Sequence, residues 1–119
     1  MVAIENDQVV GHVVATRAHV EDRPVLGLGP LSVVPRRQRA GVGSALVHTV
    51  LGAADALGEP LVALLGNPAY YHRFGFVAAQ TFGIAAPDPA WGVNFQVRTL
   101  SRYDGQAGRF RYSDPFGRL

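Results

Sequence analysis

The chain has 119 residues, of which 48% are hydrophobic and 17% are charged, and its formal net charge is +2. These values are typical of one globular domain and exclude a disordered or fibrous chain. No apolar run approaches the ~20 residues that cross a membrane, and the N-terminus lacks a signal-peptide pattern. We therefore expect a single domain over residues 1–119 that is cytoplasmic and has no membrane partner.

Two residue types are missing from the sequence, cysteine and lysine. Without cysteine there is no disulfide, no thiolate metal site and no cysteine nucleophile, and we expect no bound metal. The basic residues are all arginine, and they are scattered apart from a cluster at 36–39. A nucleic-acid partner, which calls for a dense basic patch with aromatic residues, is not indicated.

The first third of the chain predicts an antiparallel meander of three strands. Residues 2–5 and 9–15 are β-prone and are joined by Asn6-Asp7, so they form a hairpin whose second strand continues to about residue 20. Residues 21–24 make a turn, and 25–34 form the third strand. Gly29-Pro30 interrupts that strand, which is typical either of a bulge beside a ligand or of a defective edge strand.

Residues 31–46 combine a strand, a loop with two glycines and the start of a helix. The strand ends at Pro35, a basic loop with Arg36, Arg37 and Arg39 follows, and Gly41 and Gly43 open an apolar helix that runs to about residue 57. The free N–H groups and the dipole at a helix start attract anions, and glycine lets a ligand approach the backbone. This pattern predicts a site for the pyrophosphate of a nucleotide-type cofactor.

The second half of the chain predicts further strands and one short helix. The apolar run 61–65 is a buried strand, which completes a strand–helix–strand crossover around the glycine loop. A short helix covers 69–74 and ends at Gly75, and further strands are predicted at 76–79, 91–100 and 109–112. Ligands of such sheets bind outside the carboxyl ends of the strands.

Two common phosphate sites are excluded by single residue types. A Walker loop requires a lysine, which the chain lacks. A dinucleotide fingerprint requires a third glycine at the position of Leu46.

The segments 38–43 and 70–76 instead resemble the signatures of the GNAT superfamily of N-acetyltransferases. Gln38-Arg-Ala-Gly41-Val-Gly43 matches Gln/Arg-x-x-Gly-x-Gly/Ala, and Tyr70-Tyr71-His-Arg-Phe-Gly75-Phe76 is similar to the aromatic-Tyr-x-x-x-Gly-Phe element that follows. The chain is also similar to a bacterial subgroup of small predicted acetyltransferases. The resemblance implies an α/β (α+β) fold, with a mixed, mostly antiparallel sheet and a βαβ cofactor-binding core.

The resemblance also implies acetyl-CoA, or CoA, as co-substrate and assigns roles to residues. Most of these residues belong either to the strand that pairs with the pantetheine arm or to the loop that binds the pyrophosphate. One more is an asparagine after the buried strand. The implied cofactor-binding residues are Leu31, Ser32, Val33, Arg39, Ala40, Gly41, Val42, Gly43, Ser44 and Asn67. Tyr71 matches the tyrosine that protonates the departing thiolate, the alternative being an aromatic side chain packed between helix and sheet.

The chain departs from the family pattern in two places. It opens almost directly in what resembles the family's second strand, so either the recorded chain begins late or a partner chain covers the apolar face left open. We expect a homodimer to form over that face. The strand 61–65 also lacks the carboxylate that often serves as the base. The remaining candidates for a base are Glu21, Asp22, His12 and His19.

The leading hypothesis is an acetyl-CoA-dependent N-acetyltransferase in which an amine attacks directly. Its acceptor would be a small-molecule amine or a protein N-terminus, since a site without a strong base favours an amine of low pKa. The alternatives are a non-catalytic or regulatory CoA-binding module and, more distantly, a nucleotide-binding structural protein.

Overall fold

The computed structural model describes residues 2–5, 8–29, 32–33 and 41–113, and their strands form two sheets. The smaller sheet contains β1 (Val2–Glu5), β2 (Gln8–His12) and β5 (Ser32–Val33). The larger sheet contains β3 (Ala15–Val20), β4 (Arg23–Leu28), β6 (Leu61–Leu65), β7 (Val77–Ala78), β8 (Ile84–Ala85), β9 (Phe95–Thr99) and β10 (Gly108–Tyr112). Its strand order is β7-β9-β6-β4-β3-β10-β8, and only β4–β6 and β10–β8 pair in parallel among these described strands.

One long helix covers one face of the larger sheet. Helix α1 (Val42–Ala56) buries an apolar stripe at helical spacing and turns its other residues to solvent. The stripe consists of Leu46, Val47, Val50, Leu51 and Ala54. A short helix α2 (Pro68–Tyr71) continues as a 3-10 turn, His72–Phe74, on the same face. Within the described residues, no helix is both long and apolar enough to cross a membrane.

The opposite face of the larger sheet is covered by the chain itself. Alternate residues of β6 point to opposite sides, so Val62 and Leu64 join the core under α1, whereas Leu61 and Ala63 join a second core. Ile84, Phe110 and partly buried aromatic side chains of the last third of the chain close this second core. The open apolar face expected over the sheet is therefore not present in the described part of the chain.

The strand predicted at 9–20 is in fact two strands in different sheets. β2 ends at His12 and pairs with β1 and β5, whereas β3 begins at Ala15 and pairs with β4 and β10. Between them Val13 is buried and Val14 is 46% exposed. The hydrophobic pattern alone did not reveal this change of sheet, because both strands are β-prone.

The strand predicted at 25–34 is also interrupted, at the glycine that the sequence singled out. β4 starts earlier, at Arg23, because Glu21 takes a positive φ of 54° and tightens the turn. β4 pairs in parallel with β6 at Leu26 and Gly27. Gly29 then donates its N–H to the carbonyl oxygen of Val14 at 2.6 Å, and β5 pairs with β2 instead of β6. The two parallel strands therefore separate at their carboxyl ends, where ligands of such sheets bind.

The C-terminal half contains more 3-10 structure than the sequence predicts. Residues 91–94 belong to a 3-10 segment, Pro89–Asn94, and β9 begins only at Phe95. Asp88 starts this segment, since its carboxylate accepts the N–H of Ala90 at 2.9 Å. A second 3-10 segment, Ala79–Phe82, and the strand β8 were not predicted, whereas α1 and β6 lie where the sequence predicts them.

Candidate active site

The start of α1 presents free backbone N–H groups. Gly41 lies in the left-handed region, with φ 85° and ψ 1°, and its carbonyl oxygen accepts the N–H of Ala45 at 2.9 Å. The N–H groups of Val42, Gly43 and Ser44 precede that bond and, within the described residues, have no intrahelical partner. The first turn carries no acidic side chain, so the positive end of the helix dipole is not neutralised there.

These N–H groups lie beside a cavity of about 470 Å³ between α1 and α2, lined by Gly41, Gly43, Ser44, Tyr70 and Arg73. The Arg73 guanidinium lies 4.8 Å from the centre of the Tyr70 ring, and its Nε donates to the Tyr70 carbonyl oxygen at 2.9 Å. A fixed cation therefore faces the helix start, which suits an anionic ligand. The motif includes Tyr70 as its aromatic position but gives neither residue a cofactor role, although their i, i+3 spacing places them on one helix face.

A second cavity, of about 730 Å³, shares Arg73 with the first and extends along α1. His48, Asp55, Arg98 and Ser101 also line it. The Ser101 hydroxyl and N–H donate to Asp55 at 2.6 and 3.0 Å, and these bonds lower the pKa of the carboxyl group. The cavity therefore has both positive and negative groups on its wall.

The ring of Tyr71 contacts that of Tyr70, with ring centres 4.9 Å apart, and both rings lie against Phe74. The half-buried Tyr71 ring packs against Phe74 and Phe76, with ring centres 6.3 and 5.9 Å away. Burial raises the pKa of the phenol, and the neighbouring Tyr70 raises it further. Among the described residues the Tyr71 hydroxyl has no hydrogen-bond partner. At neutral pH it is therefore a protonated donor that can bond to a ligand.

Asn67 has a structural role at the start of α2. Its side-chain oxygen accepts the N–H of Ala69 at 2.9 Å, which is the N-cap bond of the helix. The side-chain amide nitrogen is left for another partner, so the predicted contact between Asn67 and the cofactor stays a prediction.

The structure describes only some of the predicted cofactor-binding residues. Val42, Gly43 and Ser44 form the first turn of α1 next to Gly41. Ser32 and Val33 form β5, whose backbone pairs with His12 and Gly11 of β2. Three further predicted residues lie outside the described residues, namely Leu31, Arg39 and Ala40.

Two of the four candidates for a base lie in the turn between β3 and β4. Glu21 and Asp22 join the two strands at the amino end of β4, whereas β4 and β6 separate at the carboxyl end. The Glu21 carboxylate accepts the N–H of Arg109 at 3.0 Å, so it supports β10 instead of facing the site.

The two histidines differ in position. His19 lies 3.4 Å from the Ser113 hydroxyl, at the same end of the sheet as the turn. Of the four candidates, His12 alone lies next to a predicted cofactor residue, as the exposed pairing partner of Ser32.

Comparison with known families gives a match over most of the chain. The acetyltransferase (GNAT) domain model matches residues 1–78. The chain is 32% identical to the uncharacterized N-acetyltransferase YhbS of Escherichia coli K12, over an alignment of 124 residues that covers 100% of this chain and 74% of YhbS.

Two solved structures share the fold at similar identity. The crystal structure of YhbS from E. coli in complex with CoA superposes with a TM-score of 0.88 at 30% identity, covering 99% of this chain and 68% of that one. A GNAT family acetyltransferase from Brucella melitensis in complex with acetyl-CoA gives a TM-score of 0.75 at 30% identity, covering 97% and 66%. The chain belongs to the GNAT superfamily of acetyl-CoA-dependent N-acetyltransferases.

Proposed function

We propose that this protein transfers the acetyl group of acetyl-CoA to a primary amine of a small molecule or of a protein N-terminus. One observation carries the proposal. A single short segment supplies Tyr70 and Arg73 to the cavity at the start of α1, and it places Tyr71 beside them in a half-buried position. A ligand with an anionic end for the cavity beside Arg73 and a reactive thioester end for the Tyr71 hydroxyl fits this arrangement.

The described residues fit CoA at its phosphate end. The N–H groups of Val42, Gly43 and Ser44 would hold the pyrophosphate, with the Arg73 guanidinium opposite them. The larger cavity next to Arg73 has room for the nucleoside end. The complexes of YhbS with CoA and of the Brucella protein with acetyl-CoA support CoA as the ligand. We assign the pantetheine arm to the backbone of β5, beside the gap between β4 and β6.

The chemistry that follows is a direct transfer. The amine nitrogen forms a bond to the acetyl carbon, the carbon–sulfur bond breaks, and the sulfur takes a proton from the Tyr71 phenol. The proton that the amine loses goes to water, since the Glu21 carboxylate is engaged elsewhere. Reprotonation of the phenol from solvent completes the cycle.

Acetyl-CoA with a panel of amines tests the proposal. The panel contains aliphatic amines, amino acids, peptides with a free N-terminus and a lysine peptide with a blocked N-terminus. CoA release and the mass of the acetylated product are measured. We expect Tyr71→Phe to lower kcat about a hundredfold while leaving KM for acetyl-CoA within a factor of about two.

Binding without turnover would favour the alternative function. If CoA binds tightly and no amine in the panel is acetylated, the protein is a non-catalytic CoA-binding module. If ATP competes as well as CoA does, the site is a general nucleotide site.

The homodimer and the cytoplasmic location stay proposals from the sequence. The sheet face that motivated the dimer is covered, but Val14 and Leu57, which are 46% and 79% exposed, line an apolar groove of about 320 Å³. Such a surface favours association. Light scattering tests the proposal, and a mass of one chain at micromolar concentration would contradict it.

A further inference from the structure

Strand β9 directs two side chains toward the segment that carries Tyr71. Gln96 and Arg98 are two residues apart, so they lie on the same face of the sheet. The Gln96 side-chain Nε2 donates to the carbonyl oxygen of Gly66 at 3.0 Å, and the Arg98 Nε donates to that of Phe74 at 3.0 Å. The two bonds hold the segment 66–74 at its beginning and at its end.

Glycines at the two ends of this segment allow the close contacts. A Cβ at Gly66 would lie 2.5 Å from Cε2 and 3.0 Å from Cδ2 of Tyr71. A Cβ at Gly75, where φ is +85°, would lie 2.6 Å from the Arg98 Nε. The ring of Tyr71 thus rests directly on the backbone that Gln96 holds.

Gln96 is an unusual residue for its position. It is 1% exposed between apolar strands, and its side-chain Oε1 has no hydrogen-bond partner among the described residues. A buried acceptor without a partner lowers stability, and an apolar side chain of similar volume would avoid this cost. The amide contributes instead through its Nε2, which donates to the carbonyl oxygens of Gly66 and Asn94.

We propose that Gln96 and Arg98 are positioning residues, which together with Gly66 fix the place of the Tyr71 hydroxyl during acetyl transfer. The inference rests on the proposed function, in which Tyr71 gives its proton to the departing sulfur. Neither side chain needs to touch the substrate, because each acts on the backbone at one end of the segment.

Kinetics of Gln96→Leu, Arg98→Met and Gly66→Ala test the proposal, with acetyl-CoA and the best amine of the panel. Each variant should lower kcat about ten- to a hundredfold, because a displacement of about 1 Å at the reacting group is enough for such a loss. KM for acetyl-CoA should stay within a factor of about two. In a Tyr71→Phe background, the same changes should lower kcat no further, since the hydroxyl that they position is gone.

Two further variants separate positioning from loss of stability. Arg98→Lys keeps one donor for the Phe74 carbonyl oxygen and should recover part of kcat. Arg17→Met removes the salt bridge with Glu59, whose Oε1 lies 2.8 Å from the Arg17 Nη1. This salt bridge lies outside the site. Arg17→Met should lower the melting temperature without changing kcat per folded molecule, the folded fraction being measured by CoA binding.

A second readout does not depend on activity. Tyrosine labelled with ¹³C at Cζ reports the phenol titration by NMR, and Tyr71→Phe assigns the signal of Tyr71. Burial raises the pKa of this phenol in the native site. When Gly66→Ala pushes the ring out of its place, that pKa should return toward its ordinary value, whereas Arg17→Met should leave it raised.

The possible outcomes are distinct. If Tyr71→Phe keeps the kcat of the unsubstituted protein, both the acid role and the positioning proposal are wrong. If Tyr71→Phe lowers kcat but the three positioning variants do not, or if their losses add in full to that of Tyr71→Phe, only the positioning proposal is wrong. The positioning proposal is supported if the three variants lower kcat in the unsubstituted protein and cause no further loss in the Tyr71→Phe background, and if Gly66→Ala shifts the pKa of the Tyr71 phenol toward its ordinary value.

Discussion

Gly41 and Gly58 lie on either side of α1 and share the left-handed conformation, with φ of +85° and +81°. A Cβ would meet no neighbouring atom within 4 Å at either glycine, so alanine would be strained at both by its backbone alone. The strain for alanine in this region is about 1–2 kcal/mol. The two glycines differ in function, since only Gly41 lines the cavity at the helix start.

We therefore expect Gly41→Ala to raise KM for acetyl-CoA about tenfold, because it shifts the N–H groups proposed to hold the pyrophosphate and a loss of about 1.4 kcal/mol of binding corresponds to that factor. Gly58→Ala is the matched control: it should lower the melting temperature to a similar extent and leave KM unchanged. Equal KM values for the two variants would show that the left-handed turn at Gly41 has no part in cofactor binding.

The raised pKa of Tyr71 predicts the alkaline limit of catalysis. The ordinary pKa of a tyrosine is 10.0, and burial moves that of Tyr71 above it. The phenol is therefore mostly protonated at pH 10, and the midpoint of the alkaline fall in kcat should lie above pH 10. The folded state loses stability over the same range, between the ordinary and the raised pKa.

The pH profile of kcat for the unsubstituted protein and for Tyr71→Phe measures this limit. The fall above pH 10 should be absent from the profile of Tyr71→Phe. A fall that begins well below pH 10 in both proteins would assign the limit to another group.

At the scale of elements, Asp55 and Ser101 connect the end of α1 to the end of β9. Two hydrogen bonds from Ser101 lower the pKa of Asp55, and the charges of Arg98 and Arg102 lower it further. A carboxyl group with a depressed pKa stabilises the folded state above its unfolded pKa of 3.8 and loses that contribution as the pH falls through the folded value. Because Asp55 is exposed, the contribution is small.

Asp55→Asn keeps a side-chain oxygen for Ser101 but no longer titrates. Its urea midpoint should be slightly below that of the unsubstituted protein at pH 6 and should fall less steeply below about pH 4. Parallel midpoints over the whole acid range would contradict the role of Asp55.

Elements with a strong local pattern could be predicted from the sequence. α1 has a 3.6-residue stripe and a terminal glycine, and β6 has five apolar residues in a row. The changes of sheet at Val13–Val14 and at Gly29 could not be placed, because which strand pairs with which depends on contacts distant in the chain. The sequence predicts a strand for residues 91–94 of the 3-10 segment Pro89–Asn94, since Val93 and Phe95 alternate as in a strand.

Part of the candidate site could likewise be predicted. The glycine loop and Tyr71 follow from their motifs, and the roles of the predicted site residues stay predictions. Tyr70 and Arg73 were missed, because a cavity between two helices is visible only once the helices are packed. Gln96 was missed too, since its sequence position predicts only a strand.

At the scale of the whole molecule, the described carboxylates explain which amine the site should prefer. Glu59 pairs with Arg17, Asp88 caps a 3-10 segment, and Glu21 supports β10. These three are not free to take a proton from the acceptor, and Asp22 lies in the same turn as Glu21, at the amino end of β4. Keeping a lysine-like amine neutral at pH 7 costs about 4.6 kcal/mol, whereas an α-amine costs about 1.1 kcal/mol.

We therefore expect kcat/KM at pH 7 to be higher for peptides with a free α-amine than for the same peptide with a blocked N-terminus and one lysine. The difference should shrink as the pH rises toward 9, because more of the lysine side chain becomes neutral. A preference for lysine at pH 7 would show that a base does take part, and His12, which pairs with Ser32, would then be the first candidate to substitute.

The division of the strands between two sheets has a consequence for local stability. Among the described strands, β1, β2 and β5 pair only with one another. The bond from the Gly29 N–H to the Val14 carbonyl oxygen lies where the chain passes between the two sheets. A ligand that contacts both β5 and α1 would tie the smaller sheet to the rest of the protein. Amide hydrogen exchange in β2 and β5 should therefore slow on addition of CoA, because opening of the smaller sheet then also requires loss of the ligand. Exchange in the 3-10 segment Pro89–Asn94, whose local opening would leave the ligand in place, should not change.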